Sequence, residues 1–147
     1  MPLSDYFSAA DDRAAIAVLQ TRGGPEKAGL DVVLLENIDP VVAMARLEVA
    51  MTGCSYEEAR ELPRSGEQLS SPEGESLVVS VSDSLAGALA AASRDDLVRS
   101  AELWSMTDEL REEGISVEVT VEILEELAGL AHRALASRML LYCWLAL

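Results

Sequence analysis

The ending RMLLYCWLAL constrains this chain more than any other stretch. From Met139 to Leu147 it carries no charge, no glycine and no proline. A helix that crosses a bilayer needs about 20 apolar residues, so this run is too short to span as one. The many alternating sister strands of an outer-membrane barrel are also missing. Tyr142, Cys143 and Trp144 favour extended backbone, and a strand covered on both faces reads as a continuous apolar run rather than an alternating one. The expectation is an interior strand, hydrogen-bonded to a neighbour on each side.

A second run, LVVSV at Leu77 to Val81, reads as a strand from its β-branched content. Helical patterns fill the chain between the two. Such a connection predicts adjacent, parallel strands with a right-handed crossover. Between them lie SDSLAGALAAA, then SRDDLVRSAELW with Ser93 and Asp96 placed as cap and N3, and the short TDELREEG, closed by Gly114. VEVTVEILEELAGLAHRALASR opens with strand-like alternation at Val117, Val119 and Val121, then keeps helical spacing from Thr120 to about Ala136.

Upstream, Ser8 is placed to cap a first helix running to about Gln20, with Asp11 and Asp12 in its first turn and Tyr6 and Phe7 as a hydrophobic staple. TRGGPEKAG is a loop, and LDVVLLENI is a strand or a buried turn. In NIDPVVAMARLEVAMTG, Asp39 is a cap, Pro40 stands at the first helical position and Gly53 ends the helix. Ser55 and Glu58 spell a capping box, and Pro63 stops that helix. RSGEQLSSPEGES is polar and fits a mobile connection. At 147 residues, half of them hydrophobic, one domain spanning 1–147 with its own core is expected.

The net charge of −15 sets the functional bounds. Phosphate binding needs clustered lysine and arginine, and the 11 basic residues are scattered. Nucleic acid and anionic membrane surfaces are therefore excluded as partners. What remains is a basic protein, a cation, or solubility alone. Cys54 and Cys143 are far apart, with no CxxC pair or Cys/His cluster, so free thiols, a cytoplasmic setting and no zinc site are expected. The opening MPLSDYFSAADDR has neither the basic start nor the apolar run of a secretory leader.

Chemistry-bearing patterns are sparse. Cys54 begins a helix-start segment, but the lone histidine, His132, would have to serve every base role. Eight carboxylates fall between Asp108 and Glu126: Asp108, Glu109, Glu112, Glu113, Glu118, Glu122, Glu125 and Glu126, opposed by Arg111. Several pairs stand one helical turn apart. The Glu-x-x-His spacing of bundle di-metal sites fails, because Gly129 occupies the place three before His132. RGGPEKAG matches no nucleotide-binding loop. No catalytic set, metal site or cofactor is expected.

In order and spacing, SDYFSA, LLENIDPVVAMARLEVAMTG, LVRSAELW and LEELAGLAHRALASRMLLYCWLAL resemble the YfbM-like family of small, uncharacterised bacterial proteins. That resemblance implies an α+β domain and no particular reaction. Asp5 stands where the family carries glycine before its Tyr-Phe pair, and the residues ahead of Met51-Thr52-Gly53 are aliphatic here.

The fold expected is α+β, several helices packed on a small sheet that includes the C-terminal strand. Two functional readings follow. One is a non-catalytic interaction protein whose acidic surface (Asp108, Glu109, Glu112, Glu113, Glu118, Glu122) meets a basic protein partner, as immunity or antitoxin-like proteins do by analogy. The other is a small-ligand binder or enzyme with a pocket near Tyr6, Asp39 and Trp104, where rings and a carboxylate suit a cationic or ring-bearing ligand.

Overall fold

A computed structural model describes residues 3–69 and 76–146. Four strands form one antiparallel sheet: β1 (Leu3–Ala9), β2 (Val32–Glu36), β3 (Ser76–Ser80) and β4 (Leu140–Ala146), in spatial order β2-β1-β4-β3. Seven α-helices accompany them among the described residues: α1 (Asp12–Ala17), α2 (Val42–Thr52), α3 (Tyr56–Glu61), α4 (Asp83–Ala91), α5 (Arg94–Ser105), α6 (Asp108–Glu112) and α7 (Val117–Ala136). The architecture is α+β.

The C-terminal strand lies inside the sheet, paired with β1 on one side and β3 on the other. Both its faces are covered. Leu141 and Cys143 face the main core under α2, α4, α5 and α7, whereas Tyr142 packs with Phe7 and Val78 on the opposite face. That second face is covered by α1, its 3₁₀ continuation Val18–Gln20 and Leu30.

Several sequence expectations need correction. β3 and β4 are neighbours, but antiparallel. A crossover returns the chain to the end of the sheet where it started; here four helices bring it back to the end that it left. The Val81 amide donates to the Leu141 carbonyl at 3.1 Å, so the exit from β3 meets the entry to β4. Arg138, at φ 57°, helps reverse the chain between α7 and β4. The second correction concerns the start. Ser8 caps no helix and lies in β1, where Tyr6 and Phe7 point to opposite faces instead of forming a staple. The cap of α1 is Asp11, whose carboxylate accepts from the Ala14 amide at 2.8 Å. α7 also begins earlier than its helical spacing suggests: Ser116 caps it, and Val117 and Val119 are largely exposed on its first turn.

α2 starts two residues later than expected, with Val41 as its cap position and Pro40 in the turn before it, although the Asp39 carboxylate still binds its first amides; the other local signals are realised as written. Asp39 accepts from the Val41 and Ala43 amides at the start of α2, and Gly53 closes that helix at φ 80°. The Ser55/Glu58 and Ser93/Asp96 capping boxes are both formed. In the RSGEQLSSPEGES stretch, the Ser80 amide donates to Glu67 and the Leu69 amide donates to Val78, so this part runs beside β3. Residues 70–75, on which the expectation of a mobile connection falls, lie outside the described residues.

Candidate functional site

Tyr6, Asp39 and Trp104 do converge, around the passage from β2 to α2. The Tyr6 hydroxyl donates to the Ile38 carbonyl at 2.7 Å, and the Trp104 indole N–H donates to the Ala43 carbonyl at 3.0 Å. Both rings are buried. Burial, then the Cys143 thiol and Asp39, push the Tyr6 phenol well above its ordinary range, so it stays neutral and donates. The polar atoms of all three residues are thus bound to backbone, in contacts that fix the angle between β2 and α2.

The acidic stretch divides between two helices. Glu109 on α6 pairs with Arg46 at 3.6 Å, and Glu125 on α7 pairs with Arg94 at 2.7 Å. Asp108, Glu112, Glu113, Glu118, Glu122 and Glu126 are exposed, and among the described residues none of these six forms an ion pair. Glu118, Glu122 and Glu126 make one i, i+4 row on α7. The row continues to Gly129 and Arg133, which lie against β2; Arg133 binds Asp31 through two nitrogens, at 2.7 and 3.0 Å.

Two hollows flank β2. The first, about 420 Å³, is lined by Val32, Val33, Leu34, Glu125, Glu126, Gly129 and Arg133. The second, about 340 Å³, is lined by Asp5, Glu26, Glu36, Leu34, Leu35, Gly23 and Trp144. Strand register builds the second hollow: Asp5 lies opposite Leu34 on one side and opposite Trp144 on the other. The glycine-rich loop clamps it. Gly24, at φ 81°, sits so close to the indole that a Cβ there would fall 2.9 Å from Trp144 Cδ2.

Asp5 is 7% exposed, and among the described residues no hydrogen-bond donor or cation reaches its carboxylate. Burial, then the neighbouring Glu26, raise its pKa. Lys27, whose stem passes Gly23, forms no ion pair among the described residues.

A contrasting cluster lies at the other end of β4. Arg64 binds Asp12 at 2.9 Å and Asp83 at 3.2 Å and lies over the Tyr142 ring, while the Tyr142 hydroxyl donates to Asp12 at 2.8 Å. The Tyr142 and Arg64 hydrogen bonds hold the Asp12 carboxyl below the usual range, and burial and Asp12 push the Tyr142 phenol up to about 12. Every charge there has a partner. Glu48 is also buried. It accepts from the Ser82 hydroxyl, tying α2 to the cap of α4, and among the described residues its Oε2 has no partner.

Sequence reasoning missed Asp5, Glu26, Glu36 and Trp144 as a group. The available signal was an acid, Asp5, inside an otherwise buried run ahead of Tyr6 and Phe7. Among the described residues no cluster of His, Cys, Asp and Glu could hold a metal ion, and no helix is long and apolar enough to cross a membrane. No protein family, curated protein or solved structure matches the chain.

Proposed function

We propose that this protein is a non-catalytic interaction module whose acidic surface on α6 and α7 meets a basic protein partner. One observation carries the reading. Six carboxylates, Asp108, Glu112, Glu113, Glu118, Glu122 and Glu126, are exposed without an ion pair among the described residues, on a chain of net charge −15. Like charges one turn apart cost a helix a few tenths of a kcal/mol per pair. An incoming cationic surface removes that repulsion and speeds encounter.

The test is affinity capture with the wild-type chain and with an E118Q/E122Q/E126Q variant, at low and high ionic strength. The wild type retains a basic protein at low salt and releases it at high salt, where exposed charges are screened; the variant retains less. Identical capture by both chains, unaffected by salt, overturns the reading.

A further inference from the structure

The edge of β2 adds a geometric element to the charge. The Ser8 amide donates to the Asp31 carbonyl at 3.3 Å, just beyond the β1–β2 register that runs from Leu3↔Glu36 to Phe7↔Val32. Bonded and non-bonded pairs alternate along an antiparallel ladder. Asp31, Val33 and Leu35 therefore turn their backbone groups toward β1, and Val32, Leu34 and Glu36 turn theirs outward. β2 is the last strand on its side of the sheet, and among the described residues no backbone partner reaches those outward groups. The Leu34 side chain is 54% exposed and borders both hollows.

An open strand edge invites another strand, and the surrounding charge selects which. Glu125, which Arg94 pairs, and the unpaired Glu126 line one hollow together with Arg133, whose charge Asp31 neutralises, and Asp5, Glu26 and Glu36 line the other. A second copy of this chain would bring the same carboxylates against them and be repelled. Asp5 sharpens the choice: the residue is 7% exposed and, among the described residues, no donor or cation reaches its carboxylate, which therefore lacks a counter-charge. The adjacent Trp144 indole offers a π face or edge to a cation.

We propose that the edge of β2 receives an extended, lysine- or arginine-rich segment of a protein partner as a fifth strand. Its successive side chains alternate between the two carboxylate-lined hollows, and one cation comes to rest beside Asp5 and Trp144. Main-chain bonds to Val32, Leu34 and Glu36 supply affinity, and the hollows supply specificity. The proposal rests on the acidic-module reading and assigns it a place and a binding mode.

Binding of an oligolysine peptide is compared with that of the same peptide methylated at every backbone nitrogen, which leaves no N–H on either edge. The two have equal charge, but only the first can extend a sheet. The unmodified peptide is expected to bind about tenfold tighter or more, to shift the amide resonances of Val32, Leu34 and Glu36, and to move the Trp144 indole resonance. Asp5→Asn, an isosteric change, should weaken it several-fold and abolish the indole shift. Equal binding of both peptides, with shifts confined to α6 and α7, overturns strand addition and leaves the acidic module standing. Binding of neither peptide overturns both.

Discussion

β4 and β2 are written in nearly the same alphabet, LLYCWLA and VVLLE, yet they meet opposite fates. β4 has a strand on each side and a layer on each face; Leu141, Tyr142 and Cys143 are all at most 3% exposed. β2 has a strand on one side only among the described residues. Val33 and Leu35 are buried against the helices, while Leu34 stands out in solvent. An apolar run announces a strand, but its place in the sheet decides whether it is sealed. The sealed strand serves stability, and the open one leaves an apolar side chain in solvent and, among the described residues, backbone groups without a partner.

The sharpest way to break this contrast is truncation. Removing residues 140–147 strips the centre of the sheet. Each large buried side chain there contributes about 1.5–3 kcal/mol, against a total stability of about 5–15 kcal/mol for a typical domain. Circular dichroism should show loss of cooperative unfolding. A native-like spectrum with an intact thermal transition would contradict the central role of β4.

Single substitutions grade the same comparison. Leu141→Ala should cost about 2–5 kcal/mol in denaturant unfolding, as buried leucine deletions do. Leu34→Ala should cost about 0.5 kcal/mol or less, as exposed positions do. The thiols give a chemical version. Cys143 is fully buried and its pKa is pushed far up by that burial, whereas Cys54 is half-buried. A thiol reagent should label Cys54 in the native protein and reach Cys143 only on unfolding. Native labelling at both would mean β4 opens.

The smallest effects concern two carboxylates shifted in opposite directions. Asp5 is raised, so its protonated form suits the fold; the stability it gives is present below the unfolded pKa and lost as pH climbs through the folded one. Asp5→Asn should therefore raise Tm at neutral pH, with the gain vanishing in acid. Asp12 is lowered, so its contribution is present above the unfolded pKa and lost as pH falls through the folded one. Asp12→Asn should lower Tm slightly at neutral pH. Equal shifts in one direction would refute the assignment of one unpartnered and one partnered acid.

Much of the fold could be read from the residues, and the gaps have physical causes. The apolar ending declared an interior strand, and the caps at Asp39, Ser55, Ser93 and Gly53 declared helix ends, because each acts within a few residues of itself. β1 was hidden because Ser4, Asp5 and Ser8 interrupt its apolar pattern, while Asp11 and Asp12 carry the stronger signal of a helix start. The direction of β3 against β4 depends on how four helices pack, which no local pattern encodes. The acids of α6 and α7 were legible as a charge run. The Asp5 hollow was not, since it needs Leu34, Asp5 and Trp144 brought abreast on three strands far apart in sequence.

Amide hydrogen exchange resolved by residue tests the contrast most directly. The amides of Leu141 to Leu145 should exchange only through global unfolding. Those of Val32, Leu34 and Glu36 should exchange orders of magnitude faster, while Val33 and Leu35 beside them are protected by β1. Protection at Val32, Leu34 and Glu36 equal to that of β4 would show that their edge is already closed, and would contradict the account.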